Sequence, residues 1–374
     1  MKKVSIKTIV SRLLILFICF FCVGITVFNP IALNKTPMYS CSKEIAAGFP
    51  KIGDILKSLF KKNDKIETAK NENVQVYLGG YPLGFTISCS GVVVVAISNE
   101  TATDIKEGDI INKVEDIKIS SAEQILQIIN SETFKGEKIK LTVTRKNKVF
   151  ETTIKPVYDK ILNIFKLGLW IRDNSAGVGT LTYVRADNKR FGALGHPVCD
   201  IDTGACLPVS SGNIFKCNIV GLKKGMRGNP GELKGLFLRN GSVLGALEKN
   251  NEFGVYGKFS NDIIGLSDSK LVSVASRNEV KSGKAKIRCT IDGTTPKEYD
   301  IEIVKTYFQS EESTKSMFIR VTDKELLAKT GGIIQGMSGS PIIQNGKLVG
   351  AVTHVFVSDP TKGYGVYADW MIKN

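Results

Sequence analysis

Residues 332–352 read GIIQGMSGSPIIQNGKLVGAV, and the stretch divides at Pro341. After the proline, Asn345-Gly346 stands between two apolar runs, the preferred signal for a two-residue type I′ turn, so an antiparallel hairpin is expected. Before it, Gly336 to Ser340 is too rich in glycine for a strand and too closely flanked by apolar residues for a linker. A tight loop pressed on a β-framework fits this pattern, and such loops are where chemistry concentrates.

The surrounding chain agrees with a β-framework. From about Leu162 onward, short strand-like runs alternate with glycines and turns, as in AGVGTLTYVRADNKRFGALGHPV and EVKSGKAKIRCTIDGTTPKEYDIEIVKTY. Many short strands at close spacing imply a barrel or sandwich. The exception is TDKELLAKTGG, which reads as a helix with Thr322 or Asp323 at its N-cap. Upstream, VQVYLGGYPLGFTIS and GVVVVAIS are strand-like, SSAEQILQIINS is an amphipathic helix, and KIKLTVTRKNKVFETTIKPV reads as two further strands.

The chain begins with a membrane signal. Lys2, Lys3, Lys7 and Arg12 precede LLILFICFFCVGITVF, near the length that crosses a bilayer. No small-residue cleavage site follows, so an uncleaved signal anchor over 1–34 is expected, with the rest of the chain outside the cytoplasm. Over 35–73 a polar linker follows, in which Ile52, Ile55, Leu56, Leu59 and Phe60 share one helical face opposite lysines. Such a helix suits either an anionic lipid surface or a stalk.

Composition narrows the function. With 51 basic against 36 acidic residues in 374, the formal charge is +15. The excess points to anionic surroundings such as a membrane surface. Nucleic acid is not expected, because the basic residues form no stripe interleaved with aromatics. Eight cysteines show no framework spacing, although one disulfide among Cys199, Cys206 and Cys217 is compatible with their proximity. The two histidines, His196 and His354, lack ligand-spaced neighbours, so no metal and no other cofactor is implied.

Two resemblances follow from these residues. The order of strands and helix over 74–157 resembles a PDZ domain. Pro82-Leu83-Gly84-Phe85 is similar to that family's X-Φ-G-Φ carboxylate loop, making Leu83, Gly84 and Phe85 the expected peptide-binding residues. Gly336-Met337-Ser338-Gly339-Ser340-Pro341 resembles the nucleophile loop of chymotrypsin-like serine peptidases. It aligns Ser338 with the nucleophile, the N–H groups of Gly336 and Ser338 with the oxyanion hole, and leaves Ser340 structural. His196 in FGALGHPV supplies a base N-terminal to the serine, as that fold requires. Spacing alone leaves the orienting carboxylate open among Asp200, Asp202 and Asp323.

Anchor, PDZ domain, GALGHP, GNPGELKG, the serine loop and DPTKGYGVY together resemble the stage IV sporulation protein B peptidases of spore-forming bacteria, essentially end to end. That resemblance implies a mainly β fold with a chymotrypsin-like double β-barrel over 158–374 and a triad on His196, Asp323 and Ser338. It further implies a forespore-made serine endopeptidase anchored in the inner forespore membrane and facing the intermembrane space. Its partners would be itself, in self-cleavage, and a membrane-bound inhibitor of an intramembrane protease, whose cleavage activates a late mother-cell sigma factor. The competing reading is a non-enzymatic, membrane-anchored PDZ scaffold. A quality-control protease of the HtrA kind is disfavoured, since those place PDZ after the protease.

Overall fold

In a computed structural model of the chain, residues 74–98, 104–146, 148–238, 241–260 and 269–374 are described. The expected anchor (1–34) and the whole of the 35–73 linker lie outside the described residues. Among the described residues no helix is long and apolar enough to cross a membrane.

A short strand, β1 (Gln75–Leu78), and a long one, β2 (Pro82–Ile97), open the structure. Then come β3 (Ile110–Val114), β4 (Ile117–Lys118), helix α1 (Ala122–Ile129), β5 (Ile139–Arg145), β6 (Lys148–Ile154), β7 (Val157–Asp159) and β8 (Ile164–Lys166). Ser121 and Gln124 close a capping box at the start of α1, satisfying two N–H groups that the first turn leaves without partners. The apolar side of α1, with Ile125 and Ile129, is buried against Ile111, Leu141, Val143 and Ile154.

A second long strand, β9 (Leu169–Arg185), is followed by β10 (Arg190–Ala193), β11 (Val209–Lys216), β12 (Asn218–Lys223), β13 (Glu232–Leu236), β14 (Val243–Asn251), β15 (Gly254–Phe259) and β16 (Leu271–Ser273). Strands β9, β10, β15, β14, β11 and β2 pair in that order, and β2 returns to β9, which closes a six-stranded ring. Phe85, Ile87, Leu181, Phe191 and Leu247 belong to its core.

The last part forms a second closed barrel of β17 (Gly283–Cys289), β18 (Lys297–Thr306), β19 (Met317–Val321), β20 (Pro341–Gln344), β21 (Lys347–Phe356) and β22 (Asp359–Tyr367). Buried and exposed residues alternate along β17 and β18, as a half-buried strand requires. The hairpin read from Asn345-Gly346 joins β20 to β21, with φ of +51° and +75° at the two turn residues. Helix α2 (Lys324–Thr330) precedes the serine loop, and a short α3 (Ala368–Met371) follows β22.

The sequence division at 157/158 is not where the strands change partners. Pro82–Ser88 of β2 pairs with Asn174–Thr180 of β9, and Leu83–Cys89 with β11, inside the first ring. Val92 and Val93 pair instead with β3, and Val93–Ile97 with Leu169–Arg172. The α1 module therefore springs from the middle of two ring strands. Both strands are long enough to serve two sheets, which a strict head-to-tail reading does not allow.

Candidate active site

The loop Gly336–Ser340 is held by the first ring although it leads into the second barrel. Thr180 and Thr182, two residues apart on β9, point to one face. Their hydroxyls donate to Gly336 O at 2.7 Å and Gly339 O at 2.8 Å. The Thr180 N–H donates to Ser338 O at 3.2 Å. Gly339 has φ +91°, and a Cβ there would lie 2.2 Å from Thr180 O and 2.4 Å from Leu194 N. Only glycine lets the loop lie this close to the strand.

Donors in the loop fall into two classes. Met337 N–H donates to Ile334 O, Gly339 N–H to Val352 O and Ser340 N–H to Met337 O. Among the described residues, the N–H groups of Gly336 and Ser338 donate to nothing. Two unpaired backbone donors flanking a serine are what an oxyanion hole needs. Ser338 is half-buried and its Oγ donates to Thr353 O at 3.1 Å. Ser340 is fully buried, and its hydroxyl donates to Met337 O at 2.6 Å.

His196 reaches the same place from β10. Leu194 and Gly195 both take positive φ, +70° and +71°, which turns the chain sharply after the strand. A Cβ on Gly195 would meet Thr353 Cγ2 at 3.0 Å, so this turn lies against the residue that accepts from Ser338. His196 and Ser338 line one cleft of about 620 Å³, with Gly336, Leu233 and Lys234. Nδ1 of His196 is 2.9 Å from Pro197 O. A proton on Nδ1 donates to that carbonyl and leaves Nε2 as the basic nitrogen, the tautomer a general base requires.

Burial holds the His196 pKa below its ordinary 6.5. His354, with its ring centroid 5.7 Å from that of His196, is pushed down to about 4 by burial and by its neighbour. A lowered pKa keeps His196 neutral and able to accept a proton down to pH values below 6.5. The acid limb of kcat/KM is therefore expected below pH 6.5, with activity lost as the pH falls through it. A limb at or above 6.5 in a pH–rate profile contradicts this.

No carboxylate bonds His196 among the described residues. Asp200 is buried and pairs with Arg172 while accepting from Thr203 N–H and Oγ1, both at 2.9 Å; Asp202 pairs with Arg172 at 2.8 Å. Asp323 is the N-cap of α2: its carboxylate accepts from Leu326 N–H at 2.9 Å and from Asp300 N–H at 3.3 Å. The structure thus brings together Ser338, His196 and the Gly336 loop, and leaves Asp323 outside. Helix capping explains an aspartate there, since it satisfies donors that the first turn leaves open. Asn caps as well as Asp, so Asp323→Asn is expected to keep kcat within a few-fold. A loss near 10⁴-fold in steady-state turnover would instead make it the orienting carboxylate.

The expected carboxylate loop needs correction. Leu83, Gly84 and Phe85 are buried mid-ring and paired on both sides, Gly84 with Val178 and Phe215, so no edge remains for a peptide. Gly84 is glycine because a Cβ would lie 2.1 Å from the Phe237 ring. A second X-Φ-G-Φ run, Lys166-Leu167-Gly168-Leu169, opens β9, with Gly168 at φ +68°. From Leu169 to Arg172, β9 pairs with β2 on one side and, among the described residues, with no strand on the other. Its flank and α1 form a second cleft of about 620 Å³ lined by Ile125, Leu126, Ile129, Leu167 and Leu169. The KLGL pattern is visible in the sequence, but it follows the helix instead of preceding the module. Thr180 and Thr182 carry no sequence signal beyond their alternation.

Comparisons with known proteins match two stretches of the chain. The family model for SpoIVB peptidase S55 matches residues 163–372, and a PDZ domain model matches 60–155. Among solved structures, the PDZ domain of the SdrC-like protein from Listeria innocua is 24% identical. It covers 22% of this chain and 93% of its own, with a TM-score of 0.20. The Rv3671c protease in its inactive form is 12% identical, covering 52% and 81%, with a TM-score of 0.30. The active form from M. tuberculosis is 14% identical, covering 53% and 72%, with a TM-score of 0.29. Among curated proteins no match is found.

Proposed function

Since the chain belongs to the SpoIVB peptidase S55 family and is a serine peptidase, we propose that Ser338 is its nucleophile and His196 its general base. The observation that carries this is the pair of unpaired N–H groups, Gly336 and Ser338, in the cleft that His196 shares. Nε2 takes the hydroxyl proton as Oγ attacks the scissile carbonyl. The two N–H groups stabilise the resulting oxyanion, and the imidazolium then protonates the leaving amine. Pro197 O holds the imidazole in place through Nδ1, the position a carboxylate fills in the triad implied by the family. The two six-stranded rings with the serine loop at their seam support a chymotrypsin-like double barrel, and Asp323 acts through the helix it caps.

The substrate reading rests on the family. A signal-anchored endopeptidase made in the forespore would cleave itself within 35–73 and then the extracytoplasmic part of a membrane-bound inhibitor, releasing an intramembrane protease that activates a late mother-cell sigma factor. The cleft between α1 and β9 would dock a peptide as an added strand, with Lys166–Leu169 as the carboxylate loop. Wild-type chain in membranes is expected to mature within 35–73 while Ser338→Ala stays full length. Leu126→Glu, at a half-exposed groove position, should slow cleavage of a membrane-bound substrate without reducing hydrolysis of a small ester. Maturation of Ser338→Ala at the wild-type rate would overturn self-cleavage, and unaltered substrate cleavage by Leu126→Glu would overturn the groove.

A further inference from the structure

Three residues past His196, the chain forms a small two-stranded turn in which Cys199 faces Cys206. Asp200 N–H donates to Ala205 O at 2.8 Å and Leu207 N–H to Val198 O at 3.1 Å. These bonds bracket Cys199 and Cys206 as the non-hydrogen-bonded pair of an antiparallel ladder. In such a pair the Cα atoms approach to about 4.5 Å, within the range a disulfide spans. Asn250 fastens the base of the turn, accepting from Val198 N–H at 2.8 Å and donating to Val198 O and Leu207 O. Its amide also contacts Cys206 Sγ at 3.5 Å.

The five cysteines among the described residues divide sharply. Cys89, Cys217 and Cys289 are buried, and burial pushes their thiols up to about 11, 11 and 12. Cys199 and Cys206 are exposed. A hydrogen bond from the Cys206 thiol lowers Cys199 to about 7, while the same contact raises Cys206. One sulfur is therefore a ready nucleophile and the other a protonated partner beside it, the arrangement that favours thiol–disulfide exchange. Cys199 also lines the cleft that holds His196 and Ser338.

We propose that Cys199 and Cys206 are a redox-sensitive pair whose closure to a disulfide fixes the turn that carries the His196-orienting carbonyl and so raises peptidase activity. The Cys199 thiolate attacks one sulfur of an external small-molecule disulfide, releasing one thiol. Cys206, losing its proton, then attacks the Cys199 sulfur and releases the second thiol. The protein pair gives up two electrons and two protons, and the external disulfide becomes two thiols. Once closed, the link holds Val198 and Leu207 together independently of Asn250, so Pro197 O stays on Nδ1 in a larger fraction of molecules.

The test uses full-length chain equilibrated with oxidised and reduced glutathione at graded ratios, followed by peptide mapping and by a rate measurement on each form. Expected is a 199–206 cross-linked peptide formed from folded protein, with Cys89, Cys217 and Cys289 still alkylatable after unfolding. The oxidised form should hydrolyse peptide roughly two- to fivefold faster than the reduced one, a change that reductant reverses and Cys206→Ser removes. A stable glutathione adduct on Cys199 without closure, or cross-links to a buried cysteine, overturns the pairing. Equal rates for the two forms overturn the switch. The map does not depend on the peptidase reading, whereas the rate comparison rests on it; absence of turnover in both forms would count against that reading and against the switch, leaving the pairing to the map.

Discussion

Ser338→Ala and His196→Ala should each lower the steady-state rate of peptide hydrolysis by about 10⁴-fold or more, with circular dichroism unchanged. The serine hydroxyl is a weak nucleophile until a base removes its proton, and His196 is the histidine in its cleft. Removing either member of a unit that acts together costs nearly as much as removing both, so the double variant should be no slower than about the slower single one. Ser340→Ala is the internal comparison. Its hydroxyl is buried on Met337 O, so the loss should appear as a lower melting temperature with measurable turnover retained. His354→Ala should likewise retain turnover, since its neutral ring bonds no group of the site. A residual rate within tenfold of wild type for either Ser338→Ala or His196→Ala would move the chemistry elsewhere.

The second large effect is structural. Phe85 is buried among Leu181, Phe191, Leu194 and Leu247 in the first ring, and its ring edge lies where a Cβ on Gly177 would fall, at 2.7 Å. Phe85→Ala should therefore cost about 3–5 kcal/mol, a large share of the roughly 5–15 kcal/mol a domain has in total. Gly84→Asp forces a side chain into the Phe237 ring at 2.1 Å and should be at least as damaging. Both variants should lose reactivity of Ser338 toward a small fluorophosphonate, because the ring they disrupt supplies Thr180, Thr182 and His196. Were Leu83–Phe85 the carboxylate loop, the same variants would lose only peptide docking and keep that reactivity. Chemical denaturation and labelling of the two variants separate these outcomes.

What the sequence reveals depends on whether the signal is local. The Asn345-Gly346 hairpin, the α1 helix and the alternation of β17 and β18 are set by neighbouring residues, and each is found where it was read. The serine loop was equally legible, because glycine at positive φ and a following proline leave their mark within six residues. The PLGF assignment failed for the opposite reason. A four-residue pattern cannot say whether its strand has a free edge, and β2 has none at Leu83–Phe85 because β9 and β11, about ninety and one hundred and thirty residues away, cover both sides. Asp323 carries two readings. A lone aspartate before a helical run is read as a cap by local chemistry and as a triad member by resemblance, and its carboxylate sits on the cap. Thr180 and Thr182 were beyond reach, since two threonines in a strand announce nothing until the loop they hold is brought to them.

The most direct test of the Ser338–His196 site is covalent labelling of the intact chain with a fluorophosphonate, followed by peptide mapping. A single adduct is expected on Ser338, formed by wild type, by Ser340→Ala and by Asp323→Asn, and lost in His196→Ala. An adduct on any other serine, or labelling of Ser338 that persists at the wild-type rate without His196, would contradict it.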